Sequence, residues 1–182
     1  SKSPSLKEVF LDLASVFQPP ERLSVSDAAA KYRHLNNPGA YIGPWLNETV
    51  PYMAEPMDTI AERGKSALVF VGPAQSAKTD ALILNGIAYT VKVDPMDAII
   101  YCPTLSSARD FSSRRIDRLH RHSREIGAML LPDKDADNKF DKHYRTGIIL
   151  SISWPSIAEL AGRPIGRVWL TDYDRMPDDI DG

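Results

Sequence analysis

Two periodicities divide the chain. Leu6, Val9, Phe10, Leu13, Val16 and Phe17 recur at the three- and four-residue spacing that lines one face of a helix. Residues 5–17 are therefore expected to form an amphipathic helix, stopped by Pro19-Pro20. A shorter helix is expected from Ser26, whose hydroxyl suits an N-cap, through Ala28-Ala29-Ala30-Lys31-Tyr32. Asn36-Asn37-Pro38-Gly39 marks a turn, and the stretch after it, with Tyr41, Trp45, Pro51 and Tyr52, has no regular period. Several large rings in such a stretch either pack on the domain surface or form a pocket for a flat ligand. Residues 53–63 read as a helix that tolerates Pro56 in its first turn and ends at Gly64.

Beyond Gly64 the pattern changes to short, near-continuous apolar runs at 67–71, 97–102, 147–154 and 167–172, each read as a strand buried on both faces. Helical patterns separate them. Ala81 to Leu84 with Ile87 and Ala88 make one apolar face, and Leu105, Ala108, Phe111, Ile116 and Leu119 make another along a basic helix over 104–122. Strands alternating with helices predict an α/β fold, a mostly parallel sheet flanked by helices, with an N-terminal helical extension. Residues 1–50 read as that helical and aromatic-loop extension, and residues 51–182 as the core.

Composition adds limits. The 182 residues, 43% hydrophobic and 25% charged, suit one domain with a sizeable core. No apolar run approaches the roughly 20 residues that cross a bilayer, and no basic-then-apolar leader opens the chain, so no membrane partner is expected. The single cysteine, Cys102, excludes an internal disulfide and reads as a small packed hydrophobe, since no motif ties a histidine to it. A net charge of −2 gives no overall positive field, but Arg109, Arg114, Arg115, Arg118, Arg121 and Arg124 concentrate positive charge, while 133–141 and 178–181 are acidic.

The segment Gly72-Pro73-Ala74-Gln75-Ser76-Ala77-Lys78-Thr79 nearly spells the phosphate-binding pattern G-x-x-x-x-G-K-[ST], between an apolar run and a helix. That order has a physical basis: loop N–H groups wrap phosphates, and the helix N-terminus adds its positive dipole end. Lys78 would reach the β and γ phosphates of ATP and Thr79 would ligate Mg²⁺, which makes 72–79 a P-loop. Ala77 departs from the pattern, which places Gly there so that the backbone can approach the phosphates. About ninety residues later, Val168-Trp169-Leu170-Thr171-Asp172 supplies the acid-ended strand that such enzymes use to hold Mg²⁺ and orient water. Asp172 either holds the metal, with Tyr173 in the water-activating slot and Asp174 as its substitute, or itself occupies that slot with Thr171 where the metal acid belongs. The plainer reading makes Asp172 and Asp174 the start of a solvated acidic turn.

With these pieces in place the chain resembles the large subunit of tailed-phage terminases, of the lambda type, from about residue 24 onward. Ordered fragments carry the likeness: Ala40-Tyr41 through Trp45, Pro51-Tyr52, Ala74-Gln75, Pro103-Thr104, Ala161-Gly162-Arg163-Pro164 and Asp174-Arg175-Met176-Pro177. The resemblance implies the N-terminal P-loop ATPase of a viral genome-packaging motor, which drives double-stranded DNA into a capsid. It further implies ATP and Mg²⁺ as cofactors, the small terminase subunit and portal protein as partners, a homo-oligomer in the assembled motor, and the cytoplasm of the infected host cell as its location. It places Tyr41 near the adenine, gives Lys78 a catalytic part, and sets the acidic pair on Thr171-Asp172. The chain is expected to stop short of the later coupling elements and the nuclease, so that hydrolysis by these residues alone is slow or absent. A non-hydrolysing nucleotide-binding or assembly module on the same fold is the competing expectation. The helix around Arg114 and Arg115 is expected either to touch DNA phosphates, to reach a neighbour's ATP, or to be a solvated face.

Overall fold

The computed structural model describes residues 21–132, 137–156 and 164–179, so the helix expected over 5–17 lies outside them. The first helix, α1 (Val25–Tyr32), starts slightly earlier than expected because Ser24, not Ser26, is its cap: the Ser24 hydroxyl accepts from Asp27 N–H at 3.1 Å. Ser26 instead donates from its N–H and its hydroxyl to the Asp58 carboxylate, at 2.8 and 3.0 Å, and ties α1 to α2 (Ala54–Thr59). The helix expected over 53–63 is shorter because two 3-10 turns, Asn47–Thr49 and Pro51–Met53, occupy its approach and i→i+3 bonds replace it after Thr59.

The aromatic stretch is more regular than its sequence suggests. β1 (His34–Asn36) and β2 (Ile42–Pro44) form an antiparallel hairpin around Gly39, which takes the positive φ of +83° that the turn requires. Trp45 returns to α1 by donating its N–H to the Arg33 carbonyl at 3.0 Å, and its ring is buried.

The sheet has four strands among the described residues: β3 (Ala98–Tyr101), β4 (Asp141–His143), β5 (Ile149–Ser153) and β6 (Arg167–Leu170), in the order β4-β5-β3-β6. β3 is parallel to both β5 and β6, and β4 runs antiparallel to β5, a strand its polar sequence Asp-Lys-His did not announce. Asp97 aligns all three parallel strands at their starts. Its carboxylate accepts from Ile149 N–H at 2.9 Å, and its carbonyl accepts from Gly166 and Arg167 N–H at 2.9 and 3.2 Å.

One expected strand is absent as a strand. Residues 67–71 have no regular structure and no strand partner, with Val69 83% and Val71 92% exposed. An apolar run favours extended backbone, but a strand exists only where a neighbouring chain takes up its hydrogen bonds. β6 is the edge of the sheet, half exposing Val168 and Leu170, and 67–71 is not paired with it.

Helices cover the sheet. A π-helical segment, Thr79–Leu84, continues as α3 (Asn85–Lys92). The expected basic helix is realised as α4 (Leu105–Phe111), a π segment Ser112–Ile116, and α5 (Asp117–His122), followed by α6 (Arg124–Gly127). Thr104 and Ser107 close its start as a reciprocal capping box. The core gathers Met53, Met57, Ile87, Ile100, Ile116, Leu150 and Ile152, each burial stabilising by about 1.5–3 kcal/mol.

At the far side of α5, His120 Nε2 meets the buried Tyr144 hydroxyl at 2.8 Å, with the rings edge to face. Burial, reinforced by the nearby Lys142 ammonium, pushes the imidazole down to about 4. The folded state therefore holds His120 neutral while the unfolded chain protonates it near the ordinary value of 6.5. Stability is full above about pH 6.5 and falls as the pH drops toward 4, by on the order of 1 to 3 kcal/mol. Urea titrations between pH 7 and 4 should show that slope, and His120→Gln should flatten it; an unchanged slope in the variant would place the pH dependence elsewhere.

Candidate functional site

The segment 72–78 leads from the 67–71 run into the π-helical turn. Gln75 and Ala77 both hold φ at +58°, left-handed backbone at alternate positions, the kind of alternation that turns successive N–H groups toward one concavity. Ala77 is the departure from the motif, and its Cβ costs about 1–2 kcal/mol in this conformation, a cost glycine would not carry. The Ser76 hydroxyl donates to the Pro73 carbonyl at 2.9 Å. Lys78 Nζ donates to the carbonyls of Gly72 and Pro73 at 3.2 and 3.0 Å, which curls the ammonium back over the loop. Gly72 is fixed by crowding: a Cβ there would lie 2.7 Å from the Phe70 ring.

Three residues that the motif did not point to hold the turn after the loop. Asp80, next to Thr79, accepts from Arg33 Nη2 at 2.9 Å, and Arg33 Nε donates to Asn85 Oδ1 at 2.8 Å. The guanidinium is 3% exposed. Burial pushes its pKa down, and the Asp80 charge opposes that. The same helix start is π-helical, with Asn85 N–H reaching back to the Asp80 carbonyl, an irregularity frequent at functional sites. From the other side, the Tyr52 hydroxyl donates to the Ser76 carbonyl at 3.3 Å. Tyr41, expected near an adenine, donates its hydroxyl within its own hairpin, to the Pro44 carbonyl at 2.9 Å, and is partly exposed.

The acidic strand is held against the helix that follows the loop. Arg167 donates to the Thr90 hydroxyl and to Asp94 at 3.2 Å, and Trp169 Nε1 donates to the Leu82 carbonyl at 3.1 Å. Trp169 also packs so closely on Gly86 that a Cβ there would come within 2.9 Å of the ring. These contacts run antiparallel, Thr90 beside Arg167 and Leu82 beside Trp169. The helix start with Lys78 and Thr79 therefore lies at the end of the sheet where β6 runs into Thr171 and Asp172.

Thr171 is buried and donates its N–H to the Tyr101 carbonyl at 3.1 Å. Asp172 is exposed, in a left-handed conformation with φ +49°, and caps the 3-10 turn Tyr173–Arg175 that exposes Asp174. Burial first, and the negative charge of Asp172 second, raise the Cys102 thiol to about 12, so Cys102 is an inert neutral thiol and Asp172 sits near the end of β3. Among the described residues no hydrogen bond or ion pair joins Asp172 or Asp174 to the loop, and no three metal-binding side chains cluster.

The strain at Ala77 has a measurable consequence. Ala77→Gly should stabilise the fold by roughly 0.5 to 1 kcal/mol in urea unfolding, the relief of the left-handed Cβ less the backbone freedom glycine regains when unfolded. A destabilised variant would mean that the loop does not hold Ala77 in this conformation.

Residues 39–182 match the family model described as phage terminase large subunit gpA, ATPase domain. Comparison with curated proteins and with solved structures finds no match. The matched span contains the loop with its two left-handed residues, the helix it opens and the acidic strand packed on that helix, and over most of its length the chain belongs to the family of the phage terminase large subunit gpA ATPase domain.

Proposed function

We propose that this chain is the P-loop ATPase of a viral DNA-packaging motor, binding ATP with Mg²⁺ at 72–79 and coupling hydrolysis to translocation of double-stranded DNA into a capsid. The observation that carries this reading is the coincidence of three features in one place: the left-handed pair Gln75 and Ala77, Lys78 curled over the loop, and the end of β6 at the start of the same helix. Loop N–H groups and Lys78 would hold the phosphates by charge-assisted bonds. Thr79 would ligate the metal, which supplies charge neutralisation at the phosphates. Asp172 either shares the metal or orients water, and Asp174 is exposed one turn further on. In the assembled motor this domain would act as one of several copies, with the small terminase subunit and portal as partners, in the cytoplasm of the infected host cell.

Ala77 and the Thr171-Asp172 pair favour a second reading, in which nucleotide is bound but not turned over. Calorimetric titration with a non-hydrolysable ATP analogue and Mg²⁺ tests the shared claim: Lys78→Ala should weaken binding at least tenfold, the loss of one charge-assisted contact of about 1.5–3 kcal/mol. Equal affinities, or none in either protein, would sink the nucleotide claim. Phosphate release measured with duplex DNA present separates the two readings, since binding without release supports the second.

A further inference from the structure

A cleft of about 260 Å³, open to solvent, runs between the β1–β2 hairpin and the basic helix, next to the turn that follows the phosphate loop. Arg33, Arg114, Arg115 and Arg118 face it, with Asp80 as the one carboxylate in its lining and Asn37 at its hairpin wall. Both π-helical irregularities border it, the Asp80–Leu84 turn on one side and the Ser112–Ile116 turn on the other. The hairpin is held in place there: His34 N–H donates to the Ser123 hydroxyl at 3.1 Å, and Asn36 Nδ2 lies 3.0 Å from His122 Nε2. The walls are built, not incidental.

The arginines are unequally engaged. Arg33 is buried on Asp80 and Asn85. Arg114 pairs with Asp110 at 2.6 Å on an open surface, where such pairs contribute little. Arg115 is 4.0 Å from the Asp80 oxygen that Arg33 leaves free. Arg118 is exposed and has no ion pair among the described residues. Asp80 answers Arg33 and Asp110 answers Arg114, so the positive charge of the cleft comes from Arg115 and Arg118 and is local in a chain whose net charge is −2. Guanidinium forks match phosphate oxygens bidentately. The lining holds the His34 imidazole but no Phe, Tyr or Trp, and charge outweighs stacking surface there. The ligand chemistry is therefore a sugar-phosphate backbone, read for charge and not for sequence.

We propose that this cleft binds the backbone phosphates of double-stranded DNA, beside the phosphate loop. The inference rests on the family-level reading that DNA is the partner, and it does not depend on nucleotide binding. Its test uses the full chain without nucleotide: fluorescence anisotropy of a labelled mixed-sequence duplex, titrated across salt concentrations. Arg118→Glu should weaken binding about tenfold or more and lower the salt slope by about one. Arg121→Glu makes the same charge change on the same helix outside the cleft and should alter affinity less than about twofold. Arg118→Gln, with a thermal melt to confirm folding, should show a smaller loss of the same sign, which keeps the result readable if the charge reversal disturbs the fold. Equal losses from Arg118→Glu and Arg121→Glu would replace the cleft with a diffuse field. An unaffected Arg118→Glu, or no duplex binding by the unaltered chain, would also overturn the proposal. Failure of ATP-analogue binding would leave this measurement untouched.

Discussion

The Arg33 guanidinium, taken out of water and held between Asp80 and Asn85, is the constraint on which the rest of the site depends. A buried cation is tolerated only when its charge and its donors are met, and removing one partner of such a pair typically costs about 3–5 kcal/mol. Its position explains why the demand is met here. Arg33 closes α1 and leads into β1, while Asp80 and Asn85 lie on the first turns of the helix that follows the 72–78 loop. One interaction thus fastens the hairpin, the loop's helix and one wall of the arginine-lined cleft together. Burying the group also orients the Asp80 carboxylate, whose second oxygen faces Arg115 across the cleft.

The second organising contact is between β6 and that same helix. Trp169 fits against Gly86 because no side chain stands there, and Arg167 secures the start of the strand on Thr90 and Asp94. A strand at the edge of a sheet has only one neighbour to set its register, here β3. The helix contacts supply the rest and bring the Thr171-Asp172 end to the end of the helix where Lys78 and Thr79 begin. The two parts of the candidate site are therefore positioned by packing on a common helix and not by bonds to each other.

The departure at Ala77 and the acid at the end of β6 both sit where backbone conformation matters. Ala77 holds a left-handed conformation that glycine adopts without strain, and Asp172 holds another at the end of β6. Each is non-glycine backbone kept in place by its surroundings. The family match spans both, so both belong to the domain as this chain carries it.

Local sequence determined what depends on neighbours along the chain. The short helix running through Ala28 to Tyr32, the apolar period of the basic helix and the apolar runs of β3, β5 and β6 were legible because helix and strand faces are set by residues a few positions apart. The near-match to the phosphate-binding pattern is local in the same way, its fixed positions lying within eight residues. Pairing between distant segments was not. β4 reads as polar loop, yet it pairs because β5 offers an edge, while 67–71 reads as a buried strand and stays unpaired and exposed. Tyr52 reaches the loop at Ser76, and Arg33 meets Asp80 across 47 positions. Tertiary structure alone decided these, because a hydrogen bond or a buried charge is satisfied by whatever group the fold brings near, and sequence distance does not encode that.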